Sequence, residues 1–367
     1  MMGSNYPVTE NTDGPVLAED GPVTADSELL YRAPVLDEAG RLLCAGWARN
    51  PLFEYNPPVL GGAPRTRITQ ADRYIIFSAT HMIVFEVMDG GYLGRIGVSI
   101  ISFKDRKRST QIFDSLFPLG RYELPESSVT GSVRIREKKS SLEFIIMKSG
   151  ARIIKVDIPR FGHHRYLRGE VVLSPPARQT QSLVTLSSWR REKKTFRYFC
   201  CSPWFITEGV MQFGTAEIYF TRDNAWGIFD WLREARPRRD IHYWACACGT
   251  ASGKLVGFSA GYGSVDSAAG TENAFFVDGV IHKLDQVVFH IPPADWLEQW
   301  RFSSNDRRLE MSFTPSQERA EHKRILLHSI RRRQVFGFFS GRVILDDGTE
   351  LAFWNISGFA ERRKTKN

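Results

Sequence analysis

The chain has 367 residues, 42% of them hydrophobic and 25% charged, and a formal net charge of +8. That is the composition of an ordinary globular protein, with length for about two domain cores. No run approaches the roughly eighteen consecutive apolar residues that a membrane-spanning helix needs, which excludes that class.

Charge is uneven. Residues 1–40 hold eight acidic side chains and one basic, a net of −7, so the remainder carries +15 to reach the total of +8. The first 28 residues, polar and without periodicity, read as a disordered acidic tail. They lack the basic n-region and apolar stretch of a secretory signal, so a cytoplasmic protein is expected. Basic clusters follow at Lys104–Arg108, Arg190–Lys194 with Arg197, Arg331–Arg333 and Arg362–Lys366. Their dispersal fits solvated loops and charged edge strands, with weak contact to an anionic membrane as the alternative; sequence-specific nucleic-acid binding is not expected.

From residue 29 onward the signal is strand. "ARIIKVDI" sets Arg152, Ile154, Val156 and Ile158 against Ile153, Lys155 and Asp157, and "RLEMSF" sets Leu309, Met311 and Phe313 against Arg308, Glu310 and Ser312. Asp89-Gly90, Ser149-Gly150, Asp278-Gly279 and Asp347-Gly348 supply hairpin turns. "ADWLEQW", 294–300, is the one candidate short helix. The fold class is therefore all-β: two tandem antiparallel barrels or sandwiches, since closure hides strand edges. The Pro-rich "SPPARQTQS" and charged "RREKK" place the break near 174–194, giving domains at 29–185 and 186–362 and a basic tail at 363–367.

Five cysteines, Cys44, Cys200, Cys201, Cys246 and Cys248, are an odd number and read as reduced thiols. Cys246 and Cys248 alternate as in a strand rather than bracketing a zinc knuckle, so no metal and no cofactor is expected.

The chemistry-bearing stretch is "AWGIFDWLREARPRRDIHYWACACG", 225–249. A strand over 225–232 puts Trp226, Ile228 and Asp230 on one face and Gly227, Phe229 and Trp231 on the other. With "RPRR" as an exposed turn, a second strand over 241–248 aligns His242, Trp244, Cys246 and Cys248. Asp230 and His242 are then expected to face one cavity from neighbouring strands. There the indoles would raise the carboxyl pKa and the imidazole would lower it, as in a general acid–base pair; the alternative is a buried Asp–His bond among core tryptophans. In "ENAFFVDGVIHKLDQV" the Asp278-Gly279 loop pairs Val277 with Val280, Phe276 with Ile281 and Phe275 with His282. Asn273 and His282 thus lie on an apolar face, and Glu272 lies diagonal to Lys283 on the other. "GFSAG", 257–261, satisfies G-x-S-x-G at Ser259, but no helix period follows, so a serine-hydrolase elbow is not expected. "GGYLGRIG" lacks the P-loop Lys-Ser/Thr.

"GTENAFFVDGVIHKLDQVVF", "LEMSFTPSQER", "QVFGFFSGRVILDDGTEL" and "SGFAE", with "RLLCAGWARNPLFEYN", "DRYIIFS" and "GYLG" upstream, resemble the family called domain of unknown function 2804, over roughly 29–362. Asp230, Trp231, Pro237, Trp244 and Gly249 match its pattern. Arg236 and His242 stand where it has tryptophans, Leu232 and Glu234 where it has glycines, and Ser259 where it has Asn. More remotely, the paired barrels resemble two-barrel lipocalin-type (calycin) proteins such as carotenoid hydratases and tocopherol cyclases. That resemblance implies an apolar cavity in which a carboxylic acid protonates or positions a polyene.

Two functions follow as expectations. One is binding of a hydrophobic small molecule, lipid or isoprenoid-like, with hydratase, cyclase or isomerase chemistry. Asp230 and His242 would be catalytic, and Trp226, Trp231, Trp244, Asn273 and His282 would line the pocket. The other is a non-enzymatic scaffold that meets a partner protein, membrane or nucleic acid through its basic body.

Overall fold

Alternation becomes strand almost everywhere in the computed structural model, which describes residues 27–56, 65–162, 165–177, 179–189, 192–325 and 328–366. The acidic stretch 1–28 lies outside the described residues except for Ser27 and Glu28, as do Arg190 and Arg191 of the 190–194 cluster. Short strands β1 (Ala33–Pro34), β2 (Gly46–Ala48) and β3 (Phe53–Glu54) precede a meander of β4 (Ile68–Ser78), β5 (His81–Asp89), β6 (Leu93–Ser102) and β7 (Lys107–Leu116). A second run comprises β8 (Ser132–Glu137), β9 (Ser140–Ile146), β10 (Arg152–Phe161), β11 (Arg165–Ser174), β12 (Leu183–Trp189), β13 (Glu192–Phe213) and β14 (Ala216–Phe220). Strand β15 (Ala225–Ala235) inserts between β13 and β4 and joins both runs into one thirteen-stranded sheet.

The second sheet repeats the plan with nine strands. They are β16 (Arg239–Ala251), β17 (Lys254–Gly263), β18 (Ala274–Val277), β19 (Val280–Lys283), β20 (Val287–His290), β21 (Trp300–Ser304), β22 (Leu309–Ile325), β23 (His328–Ile344) and β24 (Glu350–Lys366). In each sheet the last strand lies on the first, β15 on β4 and β24 on β16. The molecule is all-β, two tandem lipocalin-like antiparallel barrels, one nearly closed and one a half-barrel. No helix among the described residues is long and apolar enough to cross a membrane.

Turn chemistry acts as expected at Asp278 (φ 51°) and Gly279 (φ 82°), where both central residues are left-handed, and Val277 pairs with Val280. Two bulges absorb prolines that would break a ladder: β13 shifts register between Ser202 and Phe205 around Pro203, and β22 between Pro315 and Gln317.

Four expectations differ from what is seen. The break near 174–194 falls inside the first sheet, because β11, β12 and β13, which flank both intervals, all belong to it. The passage between sheets lies instead between Ala235 and Arg239. "RPRR" is therefore not a hairpin, and β15 and β16 belong to different sheets. Residues 294–300 turn into β21 without a helix. Arg363–Lys366 are not a tail but the end of β24, held by pairing to β16 and β23.

The second barrel interior is filled by aromatic packing. Phe313 stacks on Phe339 at 4.3 Å, Phe258 meets Phe339 edge-on at 4.8 Å, and Trp300 meets Trp296 at 5.1 Å. The outward faces of β4, β13 and β15 pack on those of β16, β17 and β24, forming a seam between the barrels.

Candidate functional site

Strand parity sorts the polar residues of β15 and β4 into two sites. Along β15, Phe229, Trp231 and Arg233 point into the first barrel, while Asp230 and Glu234 point into the seam. Along β4, Asp72 and Tyr74 point inward and Arg73 into the seam. The register places Asp72, Trp231 and Cys200 in one cross-strand row of the interior, with Gln70, Arg233 and Tyr198 in the next.

The seam is an ionic layer with almost every charge paired. Asp230 accepts two bonds from Arg73 through Oδ2, from Nε at 2.7 Å and from Nη2. Arg73 also lies 3.6 Å from Glu361, which takes bonds from Arg332 and Gln334, each at 2.8 Å. Arg197 bridges Glu272 (2.6 Å) and Glu234 (2.8 Å), and His242 Nε2 lies 2.9 Å from Glu272 Oε2. Buried charges persist only when paired in this way. Burial pushes the Asp230 carboxyl up, and Arg73 pulls it back only in part. For Glu272 burial acts in the same direction, but Arg197 and His242 outweigh it and hold the carboxyl well below its usual range.

Asp230 and His242 therefore share the seam, as parity requires, but from facing sheets and with separate partners. The remaining expected residues divide. Trp244 is buried in the seam under the Arg73 guanidinium (4.7 Å) and donates to Ser259 Oγ at 3.0 Å. Trp231 is core of the first barrel, edge-on to Tyr198 at 4.8 Å, and Trp226 is half-buried beside it in sequence on the seam face. Asn273 clamps strands, accepting from Gly261 N (2.8 Å) and donating to Asp285 O (2.8 Å). His282 is remote from the seam and accepts from Asp346 N at 3.2 Å. The expected Glu272–Lys283 contact is replaced: Glu272 turns to Arg197 and His242, while Lys283 donates to Thr271 and Leu284. Ser259 bridges Trp244 and the Glu272 carbonyl inside a strand, leaving no elbow.

The interior of the first barrel also holds polar atoms that are not satisfied, and among them is an arginine without an ion pair among the described residues. Arg152 projects from β10 with 6% of its surface exposed. It donates from Nη2 to Ser128 O (2.9 Å), yet its Nε and Nη1 have no hydrogen-bond partner. Its guanidinium lies 5.1 Å from the Phe229 ring and 5.9 Å from Phe205, and it makes no ion pair among the described residues. Arg233 is fully buried over Trp231 (4.2 Å), donates to Ala71 O, Leu232 O and Pro125 O, and pairs with Asp72 at 2.9 Å. Arg233 Nε, Trp231 Nε1 and Ser128 Oγ also lack hydrogen-bond partners. Burial raises the proton affinity of Asp72, with Arg233 opposing. Two arginines share this interior with two buried carboxylates, Asp72 and, opposite Gln70 in the row of Arg233, Asp89; of the two arginines only Arg233 is ion-paired among the described residues. Sequence reasoning missed these residues, although the signals stood in the alternation: Arg152 shares a face with Ile154, Val156 and Ile158, and Arg233 shares one with Phe229 and Trp231.

Residues 117–131 close over this cluster. They supply the Pro125 and Ser128 carbonyls that Arg233 and Arg152 hold.

Curated proteins offer no significant match to the sequence. Among solved structures, CghA superposes with a TM-score of 0.53 at 9% identity over 82% of this chain and 88% of its own. CghA with Sch210972 gives 0.51 at 9% identity over 82% and 89%. Kievitone hydratase from Nectria haematococca gives 0.46 at 8% identity over 82% and 89%. At such identities the likeness is one of fold. Residues 26–366 match the family described as Domain of unknown function (DUF2804), and the chain belongs to that family.

Proposed function

We propose that the protein binds a largely apolar small molecule bearing one anionic group in its first barrel, with that group set against Arg152. The observation that carries this reading is a buried guanidinium with two unused N–H groups and no ion pair among the described residues. Leaving an ionised group buried without a counter-charge costs several kcal/mol, and contact with a Phe ring recovers only about 0.5–2 kcal/mol. A monoanionic guest would accept from both unused N–H groups, while Tyr74 and Phe229, stacked at 4.6 Å, offer it an aromatic wall. The Pro125 and Ser128 carbonyls occupy the inner donors, so entry requires residues 117–131 to lift.

Acid chemistry of the hydratase, cyclase or isomerase kind would fall to Asp72 rather than Asp230. Asp72 faces the same interior, its Oδ1 2.9 Å from Arg233, and burial raises its proton affinity against the pull of Arg233 and Arg152. Asp230 is occupied by Arg73 on the seam side. CghA, which shares the fold, has been crystallised with Sch210972, a precedent for a guest in this architecture.

The test is a fluorescence titration with cis-parinaric acid and its methyl ester. The acid should bind and the ester should not. Arg152→Gln should weaken the acid about tenfold or more, the value of a charge-assisted bond. Equal affinity for acid and ester, or an unchanged titration in the variant, would refute the assignment.

A further inference from the structure

Residues 116–120, "LFPLG", present large apolar side chains to solvent: Leu116 is 63% exposed, Phe117 49% and Leu119 42%. Isolated exposed apolar residues are ordinary, but three within four positions are not. Their backbone is also unusual. Phe117 (φ 51°) and Leu119 (φ 50°) are left-handed, a conformation that bulky side chains adopt only when the surroundings enforce it. Enforcement is visible: Phe117 N donates to Tyr92 O (3.0 Å), Gly120 N to Asp89 Oδ2 (2.6 Å) and Arg121 N to Pro118 O (3.0 Å). A loop relaxing by itself would turn its leucines inward, whereas this one is braced with them outward.

Beside it lies a basic face. Leu93, Ser115 and Leu116 share a recess of about 400 Å³ with His322, Lys323 and Arg324 from the end of β22. Cross-strand pairing carries that face onward: His322 opposes Arg331, and Arg331 opposes Lys364. In the adjoining row Arg324 opposes Ser329, which opposes Lys366. Directly opposed residues share a side of the sheet, so His322, Arg324, Arg331, Lys364 and Lys366 form one exposed group. The two basic clusters 331–333 and 362–366, separate in sequence, thus meet in space. Lys323 alternates to the other side and pairs with Asp114. The acidic residues at this edge are Glu123, exposed just after the loop, Asp114, which already holds Lys323 and Arg95, Glu321, which holds Arg95, and Glu318, which holds Arg333.

We infer that this surface docks on an anionic lipid bilayer, the 116–120 loop entering the headgroup layer and the basic rows lying on the phosphates. Charge selects the partner class, and the apolar triplet selects within it. A nucleic acid would use the cations and leave Leu116, Phe117 and Leu119 in water, whereas a bilayer satisfies both.

Co-sedimentation of the full chain with phosphatidylcholine vesicles and with vesicles containing phosphatidylserine tests this. The protein should partition to the anionic vesicles and not to the neutral ones. Phe117→Ser with Leu119→Ser should lower partitioning about tenfold or more, and Arg324→Ala with Arg331→Ala about fivefold per charge at low salt. Phe117→Trp keeps the apolar surface and reads insertion without risk to the fold: brominated acyl chains should quench the added fluorescence relative to wild type. Absence of partitioning to either vesicle, full partitioning by the serine variant, or an unquenched Phe117→Trp protein would each overturn the inference. Tighter binding to mixed-sequence RNA that ignores the serine substitutions would assign the surface to nucleic acid instead.

Discussion

Arg73 of the first barrel lies with its guanidinium 4.7 Å from the indole of Trp244, in the second, while its Nε donates to Asp230 at 2.7 Å. One side chain therefore joins a carboxylate, an aromatic face and, through Glu361 at 3.6 Å, a second carboxylate across the seam. Its removal strands Asp230 and leaves Glu361 to Arg332 and Gln334, whereas removal of Asp230 leaves Arg73 still facing Glu361. Arg73→Ala should cost about 3–5 kcal/mol in urea unfolding, and Asp230→Asn clearly less. The reverse order would show that Asp230, not Arg73, organises the layer.

Acid should loosen the same layer. Burial works against ionisation of Glu361, but Arg332 and Arg73 hold its pKa at about 2, below the ordinary 4.5. A depressed carboxylate contributes its stabilisation above the unfolded value and loses it as protons bind the unfolded chain first. Stability should thus be level near neutrality and fall as pH drops from about 4.5 toward 2. Glu361→Gln should flatten part of that slope in denaturation midpoints measured across this range. An identical slope in the variant would place the acid sensitivity elsewhere.

Arg152 makes the opposite prediction for stability. In the unliganded protein it is a buried cation with two unbonded N–H groups and no ion pair among the described residues, so Arg152→Met should leave the melting temperature unchanged or raise it. The same substitution should abolish the rise in melting temperature that cis-parinaric acid produces in the wild type. A large loss of stability in the free variant would mean that the Ser128 carbonyl bond, not a ligand, is what the guanidinium is for.

Contact between the sheets depends on glycine at one position. A Cβ on Gly257 of β17 would sit 1.9 Å from the Pro203 carbonyl oxygen of β13, a backbone atom that cannot swing aside. Gly257→Ala should cost about 1–3 kcal/mol or more from overpacking. Gly253→Ala, where a Cβ would meet nothing within 4 Å and only a φ of +75° opposes it, should cost about 1 kcal/mol. Thermal melts of the pair separate the two effects.

Much of the architecture could be read from local pattern. Asp278-Gly279 specified its hairpin and register because a two-residue turn with positive φ leaves one pairing, and the faces of 225–232 and 241–248 were correct by parity. What failed was pairing at a distance. Asp230 and Arg73 are 157 positions apart, and nothing local distinguishes a hairpin turn at "RPRR" from a crossing between sheets. The faces of β16 are both buried, Trp244 and Cys246 against the first barrel and Ala245 and Ala247 against the second, so alternation could not say which was interior. At Arg152 the signal was present, a charge on an apolar face, but only the folded sheet shows that it makes no ion pair among the described residues.

Residues 117–131 are one covalent span used on both sides. Outside, they hold Phe117 and Leu119 in conformations those side chains resist; inside, their carbonyls keep two arginines engaged. A push on the leucines is transmitted to those carbonyls by the intervening backbone, so the protein's outer skin and its innermost cations are mechanically in series. A displacement of that backbone would thus be felt at the exposed loop and, through two carbonyls, at both guanidiniums.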